Sequence, residues 1–94
     1  MYIVSLTYNQ PIDAVDAHLA GHIDWLDRYF AQGLFLAAGR KVPRSGGVIL
    51  VQNVDRDELA RILAEDPFQA VADYEVTKLA VTRTQEALAA LQGQ

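Results

Sequence analysis

The amino-acid sequence predicts an α+β domain built on one antiparallel sheet. Three observations carry this. Residues 2–8 alternate apolar and small polar side chains, as a half-buried strand does. Residues 11–32 repeat apolar side chains at helical spacing. Two strand-like segments, 34–38 and 48–51, then follow one another with only a Gly- and Pro-bearing connection between them.

In the first strand Tyr2, Val4, Leu6 and Tyr8 share one face, and Ser5 and Thr7 point the other way. Asn9-Gln10-Pro11 breaks it, and Pro11 suits a first helical turn, where its missing N–H costs nothing. Along the helix over 11–32, Ile12, Val15, Leu19, Ile23, Leu26 and Phe30 fall in one arc, opposite Asp24, Asp27 and Arg28. Gly33 is its stop signal.

Residues 34–38 form the second strand. Residues 39–47 hold too much Gly, Pro and charge to be core. The continuous apolar run 48–51 is expected to be a strand buried on both faces. Asp55-Arg56-Asp57-Glu58 has the layout of a capping box, with Asp in place of Ser or Thr. It opens a short helix that turns Leu59, Ile62 and Leu63 inward. Asp66-Pro67 ends that helix, because a residue before proline avoids the α region. Residues 68–73 make a single turn or a short helix, and 74–82 the last strand. The slip in apolar parity between Val76 and Leu79 reads as a bulge. An alanine-rich segment, 84–92, is expected to be a C-terminal helix.

The order β-α-β-β-α-β plus a terminal helix is the split βαβ, ferredoxin-like pattern. It predicts a four-stranded antiparallel sheet with both main helices on one face. The 94 residues suit a single domain, 1–94. The strands carry large apolar residues at both parities, so the open sheet face is expected to pack on a second copy, giving a homodimer.

Composition excludes several classes. The net charge is −4, and no basic stripe with interleaved aromatics exists to neutralise phosphates, so no nucleic-acid partner is expected. An anionic membrane surface is disfavoured for the same reason. The absence of cysteine excludes a disulfide framework, a thiolate nucleophile and Cys-ligated zinc. No apolar run approaches the roughly 20 residues that span a bilayer, and no secretory leader pattern opens the chain. A cytoplasmic location follows by default.

His22 sits at the edge of the apolar arc, beside Val15, Leu26 and Tyr29. Histidine changes charge near neutral pH and is the usual general acid or base. Periodicity alone also fits a structural histidine donating to a carbonyl, and favours that reading. His18, four residues earlier, could chelate a metal with His22, but a zinc site needs a third ligand and no H-E-x-x-H motif is present. No metal and no cofactor are expected. Asp66 either caps the turn that follows it or orients and charges a histidine; spacing does not choose. In the loop 39–47, Arg40, Lys41 and Arg44 suit an anion, or belong to a solvated hairpin. Ser45 lacks an adjacent base and a nucleophile-elbow context, which leaves it a hydrogen bonder of the site. Trp25 and Tyr29 suit packing better than substrate stacking.

Four segments in this order resemble the YCII-related domain family: His22-Ile23-Asp24-Trp25-Leu26, Gly33-Leu34-Phe35-Leu36-Ala37-Ala38-Gly39, Pro43-Arg44-Ser45-Gly46-Gly47-Val48-Ile49-Leu50 and Glu65-Asp66-Pro67-Phe68. The resemblance covers nearly the whole chain. It implies a dimeric α/β barrel of ferredoxin-like subunits and a pocket lined by a histidine and an aspartate, at the positions of His22 and Asp66. It also implies acid–base chemistry, since one family relative is a dehydrochlorinase of a chlorinated hydroxyhydroquinone. Many members carry Gly-Pro where this chain has Gly39-Arg40, so substrate preference does not carry across.

Two functions are therefore expected in competition. One is an enzyme in which His22 and Asp66 move a proton on a small anionic or phenolic molecule, by elimination or isomerisation, while Arg40, Arg44 and Ser45 hold it. The other is a non-catalytic dimer that binds a small molecule or a protein.

Overall fold

The computed structural model describes residues 1–94. Its elements run β1 (Tyr2–Tyr8), α1 (Ile12–Ala17), α2 (Leu19–Ala31), β2 (Phe35–Arg40), β3 (Gly46–Val51), α3 (Arg56–Ala64) and β4 (Ala72–Lys78). A 3₁₀ turn, Pro67–Ala70, leads into β4, and a second, Glu86–Leu91, lies near the C-terminus. The sheet order is β2-β3-β1-β4 with every neighbouring pair antiparallel, in keeping with the ferredoxin-like layout.

The alternation of β1 sets the core. Tyr2, Val4 and Leu6 are buried, and their cross-strand partners on β3 include Val51 for Tyr2 and Ile49 for Val4, both buried too. Side chains directly opposite share a face, so this is the side covered by the helices. Val15, Trp25, Leu59, Ile62 and Leu63 close over it. On the other side Ile3, Val48 and Leu50 are only half-buried, and β3 is not sealed on both faces as its apolar run suggested. No helix lies over that face.

The long first helix is broken. His18 adopts φ −104° and ψ 0° between α1 and α2, the sparsely allowed bridge region. Neither proline nor glycine marks the break. The predicted apolar arc is also displaced: Ile12, Ile23 and Phe30 are 42%, 45% and 39% exposed, while Trp25 is fully buried and Tyr29 nearly so. The largest rings decide the orientation of α2, because each buries more area than an Ile. Their polar ends are also met. Trp25 Nε1 donates to the Ile62 carbonyl at 2.9 Å, and the Tyr29 hydroxyl donates to the Glu65 carboxylate at 2.7 Å.

Other boundaries differ as well. Asp55 precedes α3 but makes no side-chain cap bond. β4 ends at Lys78, so the parity slip at Leu79 is the exit of the chain from the sheet; the bulge lies in β2 instead, between Phe35 and Ala37. The alanine-rich tail forms only a 3₁₀ turn, interrupted at Leu88. Leu88 is 54% exposed and no residue of the segment is buried, and a short helix without a buried face is marginal.

The β2–β3 connection lies close against β1. A Cβ on Gly46 would stand 1.8 Å from the Leu6 carbonyl oxygen, so only glycine admits this approach.

Candidate functional site

Asp66 is the one charged residue that is buried, at 2% exposure. The proline after it holds it extended, at φ −72° and ψ 123°. Its Oδ1 accepts from the Phe68 backbone N–H at 3.0 Å and so caps the 3₁₀ turn. The turn reaches α2 at Gly21. A Cβ there would lie 3.0 Å from Pro67 Cγ, so the missing side chain admits the proline and brings the next residue, His22, against Asp66.

His22 Nδ1 lies 2.8 Å from the same Oδ1. A carboxylate only accepts, so Nδ1 carries the hydrogen and the neutral ring keeps its lone pair on Nε2. Every buried side-chain nitrogen and oxygen has a partner, and Nε2 has none within the chain; Nε2 is therefore open to solvent. The ring is otherwise clamped. It stacks on Phe68 with centroids 3.8 Å apart and planes 3° apart, and Trp25 stands 5.5 Å away on a tilted plane.

The second oxygen of Asp66 is also taken. The Tyr74 hydroxyl donates to Oδ2 at 2.5 Å. Burial pushes the Tyr74 phenol far above its ordinary value, and the hydrogen bond and charge of Asp66 push the same way. Tyr74 is thus a neutral donor at neutral pH.

His22 forms part of the wall of a cavity of about 420 Å³ between α2 and the β1–β3–β2 side of the sheet. Leu19, Ile23, Leu26, Leu6, Ile49 and Phe68 give it an apolar lining, and Tyr8, Arg40 and Arg44 a polar rim. Asp66 does not line it and reaches it only through His22. A concave, mostly apolar pocket with a few convergent polar groups is what small-molecule sites share.

The basic loop residues are not equivalent. Arg40 lines the cavity and enters no ion pair. Arg44 also lines it, but its Nη2 donates to Asp16 at 2.7 Å. That hydrogen bond, more than any other influence, holds the guanidinium even more firmly charged. Lys41 turns away and donates to the Thr7 hydroxyl at 3.1 Å. Ser45 is exposed and is not part of the lining; its carbonyl accepts from Tyr8 N–H at 2.9 Å, and Gly46 and Gly47 form the wall beside it. No third His, Asp or Glu joins His18 and His22 in a metal-binding group.

Sequence reasoning missed Tyr74 and the stacking role of Phe68. A signal for Tyr74 exists only once register is known: it pairs with Leu6, whose side chain faces the helices.

The model of the YCII-related domain matches residues 1–80. A search of curated proteins finds no match. Among solved structures, the chain is similar to the 5-chloro-2-hydroxyhydroquinone dehydrochlorinase (TftG) of Burkholderia phenoliruptrix AC1100, solved in complex with 2,5-dihydroxybenzoquinone. The two share 15% sequence identity at a TM-score of 0.68, over 84% of this chain and 93% of that one. That likeness is one of fold.

Proposed function

The chain belongs to the YCII-related domain family, and from that premise we propose that it is a proton-transfer enzyme acting on a small anionic or phenolic molecule. The observation that carries this reading is the 2.8 Å contact between Asp66 Oδ1 and His22 Nδ1, with the opposite ring nitrogen open on the cavity side. Asp66 fixes the tautomer and stabilises the imidazolium that forms. Nε2 takes a proton from the bound substrate. The electron pair left behind either expels a leaving group, which departs as an anion, or is reprotonated at another atom. The first course is elimination and the second isomerisation.

Arg40 is the charge free to meet a substrate oxygen; Arg44 contributes at the rim while held by Asp16. Ser45 is at most a rim hydrogen bonder. The fold of the dehydrochlorinase neighbour supports the same chemistry and suggests a hydroxylated ring as the first substrate to try.

The assay follows chloride release from 5-chloro-2-hydroxyhydroquinone, and deuterium uptake from solvent into unchlorinated hydroxyquinones. His22→Gln should lower either rate by about 100-fold or more, the scale of a lost general base. An unchanged rate in His22→Gln contradicts the reading.

The open sheet face supports a homodimer. Half-buried Ile3, Val48 and Leu50 lie there, and Val48 and Leu50 border a shallow concavity with Ala37 and Gly39. Two copies meeting sheet to sheet would cover it.

A further inference from the structure

We infer that Tyr74 is a positioning residue of the site: its hydroxyl, 2.5 Å from Asp66 Oδ2, keeps the proton of the Asp66–His22 pair on His22 Nδ1. The inference rests on the proton-transfer reading of His22 and extends it one residue further from the cavity.

The supply of hydrogen-bond donors to Asp66 is limited. The Asp66 side chain is sealed from solvent, at 0% exposure. Oδ1 has two donors, the Phe68 N–H and His22 Nδ1. Oδ2 has one, the Tyr74 hydroxyl. A buried carboxylate oxygen without a donor is costly. If the hydroxyl is removed, Oδ2 loses its one donor within the chain. The nearest mobile proton that can relieve the carboxylate is the one on His22 Nδ1. When that hydrogen passes to Asp66, Nδ1 is left with a lone pair and Nε2 takes up one proton from solvent; the pair then holds a neutral Asp66 acid and an Nε2–H ring with no base facing the cavity. Tyr74 thereby acts on the cavity through two residues while touching none of its contents; it is not part of the lining. Its phenol is suited to this because burial and the Asp66 charge hold it protonated. The sheet fixes its place: Tyr74 pairs with Leu6 in the β1–β4 register, in the middle of a strand that cannot shift without moving the core.

Tyr74→Phe tests this, because it keeps the ring and removes only the oxygen. Long-range nitrogen–proton correlation spectra of the neutral His22 ring should show the Nδ1–H form in the unaltered chain. In Tyr74→Phe they should show a mixture with the Nε2–H form. Turnover should fall about tenfold to a hundredfold, by analogy with loss of the outer partner of a metal-bound histidine, with KM within twofold. In an Asp66→Asn background the same substitution should change turnover less than twofold. A wild-type tautomer and wild-type turnover in Tyr74→Phe overturn the assignment. So does a hydroxyl proton of Tyr74 that exchanges freely with water in the unaltered chain, a measurement that needs no variant. The nitrogen readout needs no substrate. A chain whose His22→Gln variant keeps its rate refutes the proposed chemistry, whereas loss in His22→Gln with an unaffected Tyr74→Phe refutes only the role of Tyr74.

Discussion

The His22 ring lies flat on Phe68, with centroids 3.8 Å apart and planes 3° apart, while its Nδ1 holds Asp66 at 2.8 Å. Phe68 also gives its backbone N–H to that carboxylate. One residue therefore fixes both members of the pair, the ring by contact and the carboxylate by a hydrogen bond.

Phe68→Leu keeps the backbone donor and removes the stack. It should cost about 1–2 kcal/mol of stability, from imperfect repacking and the lost aromatic contact. It should also free the imidazole to turn. Urea unfolding measures the first effect and broadened His22 ring resonances the second.

Gly46→Ala should be among the most damaging single-methyl changes in the chain. The added Cβ would lie 1.8 Å from the Leu6 carbonyl oxygen, so β1 and β3 must separate. We expect a loss of about 3 kcal/mol or more. Gly39→Ala, with nothing within 4 Å of its Cβ, should stay within about 0.5 kcal/mol of wild type. The pair of urea midpoints checks the contrast.

Stability should fall on the alkaline side. The Tyr74 phenol is raised well above its ordinary value of 10.0 by burial and Asp66, and burial followed by Glu65 raises Tyr29 too. A group raised in the folded state stabilises fully below its unfolded value. That contribution is lost as pH climbs from about 10 toward the folded value. Each such tyrosine adds a slope of about 1.4 kcal/mol per pH unit in that window. Tyr74→Phe should remove one such slope, read from urea midpoints between roughly pH 8 and 11.

On the proposed function, Arg40→Gln should weaken binding of an anionic hydroxyquinone probe more than Arg44→Gln does. Arg40 has no carboxylate partner, while Arg44 already donates to Asp16. A lost charged hydrogen bond is worth about 1.5–3 kcal/mol, or roughly tenfold to a hundredfold in Kd. Isothermal titration of both variants decides the order.

Leu50→Lys places a charge on the open sheet face without touching the cavity. It should convert a sheet-to-sheet dimer into monomers in sedimentation velocity. A wild-type chain that sediments as a monomer removes the dimer from the account.

The legible part of the fold was whatever a single period determines. The alternation of Tyr2, Val4, Leu6 and Tyr8 named the core face of β1, because one residue of slip would reverse every side chain. The orientation of α2 was not legible. Counting apolar residues gives Ile23 and Phe30 the weight of Trp25, whereas the fold ranks them by area and by partners for their polar atoms, and Trp25 finds the Ile62 carbonyl. The ends of β4 and of the C-terminal segment escaped too, since they depend on where neighbouring strands stop. At Asp66 spacing left two readings open, a turn cap and a partner for histidine. The geometry is that of both, through one oxygen shared by Phe68 N–H and His22 Nδ1. The approach of Pro67 to Gly21 helps to bring those residues together, and no local pattern announces a contact across that separation. Tyr74 needed the strand register as well.

The central claim is that Asp66 holds the hydrogen on His22 Nδ1 and leaves Nε2 as the base. The most direct measurement is the pair of imidazole nitrogen shifts of His22 in the neutral ring, in the wild type and in Asp66→Asn. The Nδ1–H form is expected in the wild type, and its loss in Asp66→Asn. A wild-type ring in the Nε2–H form would contradict it.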